Sequence, residues 1–211
     1  MTKIFKILTV VLILLNTSCK VTLLKNPLLG DEDINLSENP LVGTWVIEEN
    51  DYETKLEIKN YEIEHGLFLI EVSNNKDVFS AQFNLGKQAE LYFLNIVDKS
   101  IKFNKTPLYG DNDQDIHYLV WGAKIEGGTL VIMPSNLTRF SERFTPHIKR
   151  KFDVKRKLDD EIIRLPLMKL FAQKSEVIEL VENRQMYEEL SKEYSNIFEN
   201  DDRLIFTRTD N

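Results

Sequence analysis

The sequence predicts an α+β fold, in which C-terminal helices pack on an antiparallel β meander that forms a barrel or a strongly curved sheet. Short apolar segments recur roughly every 8 to 15 residues between turn signals, as in all-β sheets. They occupy positions 41–133 of the 211-residue chain. Apolar residues spaced as on a helix face appear only after Pro134. The predicted globular domain therefore spans 41–211 and carries its helices at the end.

The N-terminus has the features of an export signal. Lys3 and Lys6 precede an uninterrupted apolar run at 7–15, and the chain's one cysteine, Cys19, follows three small polar residues. The run is too short for a membrane span, which needs roughly 20 residues, but suits the apolar region of a signal peptide. We therefore assign 1–18 as a signal peptide.

The residues before Cys19 resemble the lipobox of bacterial lipoproteins. Thr17, Ser18 and Cys19 fit its last three places, while Asn16 stands where leucine is usual and Leu15 lies one residue early. The resemblance implies that Cys19 is acylated and holds the mature protein on a membrane of the bacterial cell envelope. Stable anchoring needs two or more acyl chains. Because Lys20 rather than aspartate follows the cysteine, the outer membrane is favoured.

Three other outcomes remain open for the N-terminus. Ordinary cleavage after Ser18 would release a soluble secreted protein. An uncleaved signal would act as a membrane anchor itself, and a cytosolic protein would bury the segment as a helix.

Charge and cysteine content restrict the function classes. Without 1–18 the chain has 25 Lys+Arg against 34 Asp+Glu. Such an acidic surface repels phosphate backbones, which argues against a nucleic-acid partner. A single cysteine excludes an internal disulfide. Positions 19–40 contain Pro27, Gly30 and three consecutive acidic residues. We therefore predict that they form a flexible tether. The alternative is that the leucine pairs at 23–24 and 28–29 dock on the domain.

The body of the domain reads as a series of strands. Segment 78–85 alternates most clearly, placing Phe79, Ala81, Phe83 and Leu85 on one face. Gly127-Gly128 between two apolar runs predicts a two-residue hairpin. The predicted strands lie at 41–49, 56–58, 67–72, 78–85, 91–97, 116–125, 129–133 and 204–207.

The region after Pro134 is predicted to be largely helical. Ser135 would cap a short helix, the basic stretch 149–157 would be an exposed loop, and 162–173 would be extended. Ser175 would cap a longer helix, interrupted near Asn183, whose apolar residues pack on the sheet. Those residues are Ile178, Val181, Met186, Tyr187, Leu190, Tyr194 and Phe198.

Few residues carry a chemical signature. Asp111, Asp113 and Asp115 have the spacing that begins an EF-hand calcium loop. Ile116 stands where that loop needs glycine, and Gly122 where it needs glutamate. The three aspartates are therefore weak calcium candidates, and an exposed acidic hairpin is favoured. Histidines 65, 117 and 147 are isolated and predicted to be structural. No catalytic residue, resident metal or cofactor is predicted.

Gly43-Thr44-Trp45 opens the first predicted strand of the domain. It resembles the Gly-x-Trp opening of lipocalins and of lipocalin-like bacterial proteins, which implies a barrel plugged at one end by Trp45. In lipocalins a late arginine stacks over that tryptophan, and the resemblance assigns Arg208 to this place. A core role for Trp45 alone remains the alternative.

Two function classes remain. One is a binding or interaction lipoprotein that recognises an apolar small molecule, a glycan or another envelope protein. Its ligand cavity would be lined by a set of aromatic residues that could instead form a packed core. The other, less favoured, is an envelope hydrolase whose site is assembled from scattered residues. The aromatic residues are Phe68, Phe79, Phe83, Phe93, Tyr118 and Trp121.

Overall fold

In the part of the chain that the structure describes, the fold is mostly β-sheet with one α-helix. The computed structural model describes residues 21–29, 34, 39–49, 52–62, 65–74, 76–108, 115–134, 145–155, 174–181, 184–198 and 203–209. The strands are β1 (Val21–Leu24), β2 (Gly43–Glu49), β3 (Tyr52–Glu62), β4 (Leu67–Ser73), β5 (Val78–Gln88), β6 (Leu91–Val97), β7 (Lys102–Phe103), β8 (Thr106–Pro107), β9 (Tyr118–Glu126), β10 (Thr129–Pro134), β11 (Ile148–Lys155), β12 (Lys174–Leu180) and β13 (Leu204–Arg208). The helix α1 spans Arg184–Ile197, and short 3-10 turns lie at Asp98–Ser100 and Thr145–His147.

Eight strands pair in a closed ring. The order is β2, β3, β4, β5, β6, β9, β10 and β13, and β13 pairs back with β2, every pair being antiparallel. The chain order is preserved around the ring, as expected of a meander. Strands β1, β12 and β11 extend the sheet beyond β9.

The predicted strands of the domain are confirmed. On β5 the four residues Phe79, Ala81, Phe83 and Leu85 are all buried, as their alternation indicates. Gly127 and Gly128, with φ of 58° and 84°, form the turn between β9 and β10, where Glu126 pairs with Thr129. Glycine suits this turn because both positions need a positive φ.

The aromatic residues singled out from the sequence form core rather than line a cavity. Five of them, Phe68, Phe79, Phe83, Phe93 and Trp121, are at most 2% exposed, and Tyr118 is half-buried. The rings of Phe68 and Phe83 stack with centroids 5.3 Å apart on the face of β4 and β5 that looks into the ring of strands. The packed-core interpretation is therefore confirmed for these side chains.

The tether prediction is wrong for residues 21–29, and the docking alternative holds there. Strand β1 pairs in parallel with β12, and Leu23, Leu24 and Leu28 are at most 2% exposed. Asn95 on β6 fixes the segment: its Oδ1 accepts the Leu28 N–H at 2.7 Å and its Nδ2 donates to the Leu28 carbonyl at 2.8 Å.

The docked segment also explains a glycine on β5. A Cβ at Gly86 would lie 2.0 Å from the Leu28 carbonyl oxygen and 2.7 Å from that of Leu29. Both are backbone atoms, so no side-chain rotation would relieve the contact. A glycine at this position lets the N-terminal segment lie directly on β5, where Lys87 N–H donates to the Leu29 carbonyl.

The helix predicted to start at Ser175 begins later. Residues 174–180 are strand β12, held between β1 and β11, and α1 starts at Arg184. Two neighbouring strands satisfy the backbone of β12, which overrides the helical spacing in the sequence. Within α1 the predicted core residues Met186, Tyr187 and Leu190 are buried, as is Phe198 just beyond the helix.

The basic stretch predicted as a loop is in part a strand. Residues 148–155 form β11, which stands at one end of the strand order in the described part of the chain. Charged side chains are common on such edge strands because they discourage pairing with other chains. The signal peptide with Cys19, the helix after Ser135 and the extended segment 162–173 lie outside the described residues.

Candidate ligand groove

The structure brings together Gly43, Trp45 and Arg208. Trp45 is 1% exposed, its Nε1 donates to the Leu41 carbonyl at 2.9 Å, and it pairs with Arg208 across β2 and β13. The Arg208 guanidinium carbon lies 5.3 Å from the centre of the Trp45 ring, within cation–π distance. Arg208 also donates to the Val42 carbonyl at 3.1 Å.

Gly43 makes room for this arginine. Its φ is +148°, and a Cβ there would lie 3.2 Å from Arg208 Nη2 and 3.4 Å from Nε. A side chain at this position would therefore strain the backbone and press on the guanidinium. The three residues form one packed unit at the end of the ring where β2 and β13 meet.

The other predicted site residues do not form a site in the described part of the chain. Asp115 is exposed, whereas Asp111, Asp113 and Cys19 lie outside that part. Among the described residues, no group of three or more histidine, cysteine, aspartate or glutamate side chains is placed to hold a metal ion.

A groove of about 680 Å³ lies on the outer face of β4 and β5, and we call it the lysine groove. Its volume lies within the range of small-molecule sites, about 300–1,000 Å³. It is lined by Tyr61, Leu69, Glu71, Ser80, Gln82, Val97, Lys99, Ser100, Lys102, Lys105 and Ile116.

An interruption in strand pairing forms one wall of the groove. β5 pairs with β6 up to the pair Phe83–Ile96 and with β7 from the pair Ser80–Lys102, so residues 97–101 lie opposite only two residues of β5. The excess residues form the 3-10 turn Asp98–Ser100 at this point. The Ser100 hydroxyl donates to the Val97 carbonyl at 2.6 Å and accepts the Gln82 N–H at 2.7 Å, which fixes the turn against β5.

The floor of the groove follows from strand register. Leu69 is paired with Gln82, and Glu71 with Ser80, which in turn is paired with Lys102. These five residues therefore share the face opposite to Phe68 and Phe83. Gln82 and Ser80 are two residues apart along β5, or about 7 Å. The pair Leu69–Gln82 and the row Glu71–Ser80–Lys102 therefore lie towards different ends of the floor.

The lining combines apolar surface with positive charge. Tyr61 and Ile116 are 51% and 52% exposed, and both line the same concavity. Three of the eleven lining residues are lysines and one is a glutamate. That glutamate, Glu71, accepts a hydrogen bond from Lys59 Nζ at 2.9 Å, and this bond, followed by the one to Glu57, raises the pKa of Lys59.

A buried histidine–carboxylate pair lies behind the turn. His117 Nδ1 is 3.6 Å from Asp98 Oδ2, and both side chains are at most 2% exposed. Asp98 Oδ1 accepts the backbone N–H groups of Lys99 and His117, at 2.8 and 3.1 Å. Burial, and then the Asp98 charge, raises the pKa of neighbouring Tyr118. The pair ties the turn to the start of β9 and, because it is buried, presents no surface to a substrate.

His147 is likewise engaged in packing contacts. Its Nε2 lies 3.1 Å from Glu189 Oε2 on α1, and its carbonyl accepts the Val181 N–H at 2.8 Å. These contacts join the turn before β11 to the helix. Neither buried histidine lines the groove.

Comparison with protein-family models, curated proteins and solved structures finds no match to this chain. No α-helix in the described segments has the length and apolar character that a membrane span requires.

Sequence reasoning missed the groove, although part of its signal is visible in the sequence. Lys99, Lys102 and Lys105 fall within seven residues that contain no acidic residue, in a chain of net charge −7. That local excess of positive charge is readable without a structure. The pairing of this segment beside Leu69 and Glu71 depends on strand register between distant residues, which the sequence does not display.

Proposed function

We propose that this chain is an envelope-anchored bacterial lipoprotein whose folded domain binds a small ligand in the lysine groove. The observation that carries the binding role is the groove itself: a concave site of about 680 Å³ with exposed apolar and cationic side chains. A surface maintained only for solubility has no need of exposed Tyr61 and Ile116 in one concavity. An envelope protein remains the other candidate partner.

The proposed anchor is a lipid on Cys19 that holds the protein on a membrane of the bacterial envelope, with the outer membrane favoured. Lys20 alone separates this cysteine from β1, which is docked in the sheet through its pairing with β12. The lipid would therefore hold the domain close to the membrane surface, rather than at the distance that a 20-residue tether allows.

We also propose that the ring of eight strands is a lipocalin-like barrel, plugged at one end by Trp45 beneath Arg208. The pairing of β13 with β2 and the guanidinium–indole distance of 5.3 Å support this interpretation. Because large aromatic side chains pack inside the ring, the ligand site lies outside it.

Intact-mass measurement of protein extracted from membranes tests the anchor. Wild-type protein should begin at Cys19 and carry a lipid mass, whereas Cys19→Ser protein should lack that mass and leave the membrane fraction. A wild-type mature chain that begins at an unmodified Cys19 would remove the anchor from the proposal.

Native mass spectrometry of the same membrane-extracted protein tests the binding role. We expect a co-purified small molecule on the wild-type protein and its loss in Ser80→Trp, which places a large ring on the groove floor. Thr207→Trp, at an exposed position of β13, is the matched control and should retain the ligand. Equal retention by both variants would exclude the groove as the site.

A further inference from the structure

We propose that the lysine groove takes a monomeric anionic amphiphile, with a carboxylate or phosphate head near Lys102 and Lys105 and an apolar tail over Leu69 and Ile116. This inference rests on the proposed function and adds the chemical class of the ligand. It depends on how charge and apolar surface are distributed within the groove.

The positive charge of the groove is available to a ligand. Within the described part of the chain, neither Lys102 nor Lys105 forms an ion pair, and both side chains are exposed. The one carboxylate of the lining, Glu71, is held by Lys59 from the adjacent strand. The lining is thus cationic in a protein whose formal net charge is −7.

The charge of Lys102 and the apolar surface of Leu69 lie towards different ends of the groove floor, while Lys99 belongs to the turn beside the Leu69 end. Register places Lys102 next to Ser80 and Glu71, and places Leu69 next to Gln82, about 7 Å further along β5. Val97 comes just before the turn Asp98–Ser100 and is paired with Tyr118 at the start of β9. Ile116 lies two residues before Tyr118, and both Val97 and Ile116 line the groove. A ligand with one charged and one apolar end matches this arrangement.

Neutral or cationic ligands match it less well. A wholly apolar molecule would cover the lysine ammonium groups without supplying a counter-charge, and covering unpaired charge is costly. A cation would be repelled by three lysines in the lining. A small inorganic anion would bind the lysines but leave the apolar side chains of Tyr61 and Ile116 exposed.

Three eight-carbon probes, used below their micelle-forming concentrations, test the charge requirement: octanoate, octyl glucoside and octyltrimethylammonium. Binding is followed by amide chemical shifts of the lining residues in the full-length protein. We expect octanoate to bind about tenfold more tightly than octyl glucoside, as two exposed charge pairs allow. Octyltrimethylammonium should bind most weakly.

Variants then assign the preference to the two lysines. Lys102→Gln with Lys105→Gln should remove the advantage of octanoate over octyl glucoside. Lys76→Gln with Lys192→Gln makes the same charge change at exposed positions outside the groove and should preserve it. Matching amide spectra of the two double variants away from the substitutions show that both are folded.

Each other outcome overturns a defined part of the account. Equal binding of octanoate and octyl glucoside at the lining overturns the anionic class and leaves the groove as a ligand site. An octanoate preference that survives Lys102→Gln with Lys105→Gln also overturns it. Phosphatidylglycerol vesicles serve as a fourth probe, and a response to them but not to octanoate would exclude a monomeric ligand. No response to any probe at the lining overturns both this inference and the proposed binding role.

Discussion

The contact between Arg208 and Trp45 joins the last strand of the ring to the first. The guanidinium covers the indole at 5.3 Å and donates to the Val42 carbonyl, so one side chain bridges β13 and the start of β2. Cation–π contacts of this kind contribute about 0.5–2 kcal/mol.

Arg208→Ala is therefore expected to lower the free energy of unfolding by about 1 kcal/mol. Urea unfolding followed by circular dichroism measures the change. Arg203→Ala, at an exposed position just before β13, is the control and should leave the unfolding free energy nearly unchanged. Equal stability of the two variants would show that the Arg208 contact contributes nothing.

Gly86 is the second position where one residue determines a larger arrangement. Gly86→Ala should lower the free energy of unfolding by about 1–3 kcal/mol, because the new methyl group collides with the Leu28 carbonyl. The loss should be local: hydrogen exchange of the Leu28 and Leu29 amides should accelerate most. Asn95→Ala, which removes both hydrogen bonds to Leu28, should expose the same amides, whereas Asn60→Ala, at an exposed position of β3, should not. Unchanged exchange of the Leu28 and Leu29 amides in Gly86→Ala and Asn95→Ala would contradict docking of residues 21–29 on the sheet.

Among the elements, β1 and β12 stabilise each other. Glu179 on β12 accepts hydrogen bonds from Lys149 on β11 at 2.7 Å and from Lys25 just after β1 at 3.1 Å. These two bonds hold the pKa of the Glu179 carboxyl below its ordinary value of 4.5. The charged carboxylate therefore favours the folded state at any pH above that value.

Glu179→Gln should accordingly destabilise the protein at pH 7. As the pH falls below about 4.5 and through the lowered pKa, the wild-type carboxylate becomes protonated and the difference between the two proteins should shrink. Urea midpoints at pH 7 and pH 3.5 give the comparison, with Glu90→Gln at an exposed turn as control. A difference that stays constant with pH would exclude a contribution from the charge.

The strands of the ring could be predicted from sequence, whereas the elements outside it could not. Strand β5 shows its buried face directly, because each second residue is apolar and one side of the strand faces the core. Strand β12 has no such pattern, since Val177, Ile178 and Leu180 are all buried among neighbouring elements. Its partner β1 lies in a segment whose proline, glycine and acidic residues are typical of a linker.

For the whole molecule, the docked N-terminal segment is part of the fold. Burial of Leu23, Leu24 and Leu28 contributes on the order of 5 kcal/mol at about 1.5–3 kcal/mol for each side chain, as an upper bound. A chain that starts at position 41 should therefore unfold at markedly lower urea concentration than one that starts at position 20. Equal urea midpoints for the two chains would show that the N-terminal segment does not stabilise the fold and acts only as a tether.

Function could be predicted from sequence only as far as an export signal, a candidate lipid anchor and the absence of recognisable catalytic motifs. Gly43, Trp45 and Arg208 were identified from a resemblance, and the structure places them in contact. The groove was not identified, because Leu69, Lys102 and Ile116 are distant in sequence and meet only through the register of β4, β5 and β7.

The central claim is that the ligand binds on the outer face of the ring rather than inside it. Intermolecular nuclear Overhauser effects between octanoate and the protein's methyl groups test this most directly. We expect contacts from the octanoate chain to Leu69, Val97 and Ile116. Contacts to Leu130 or Ile132, which are buried on β10, would place the ligand inside the ring and contradict it.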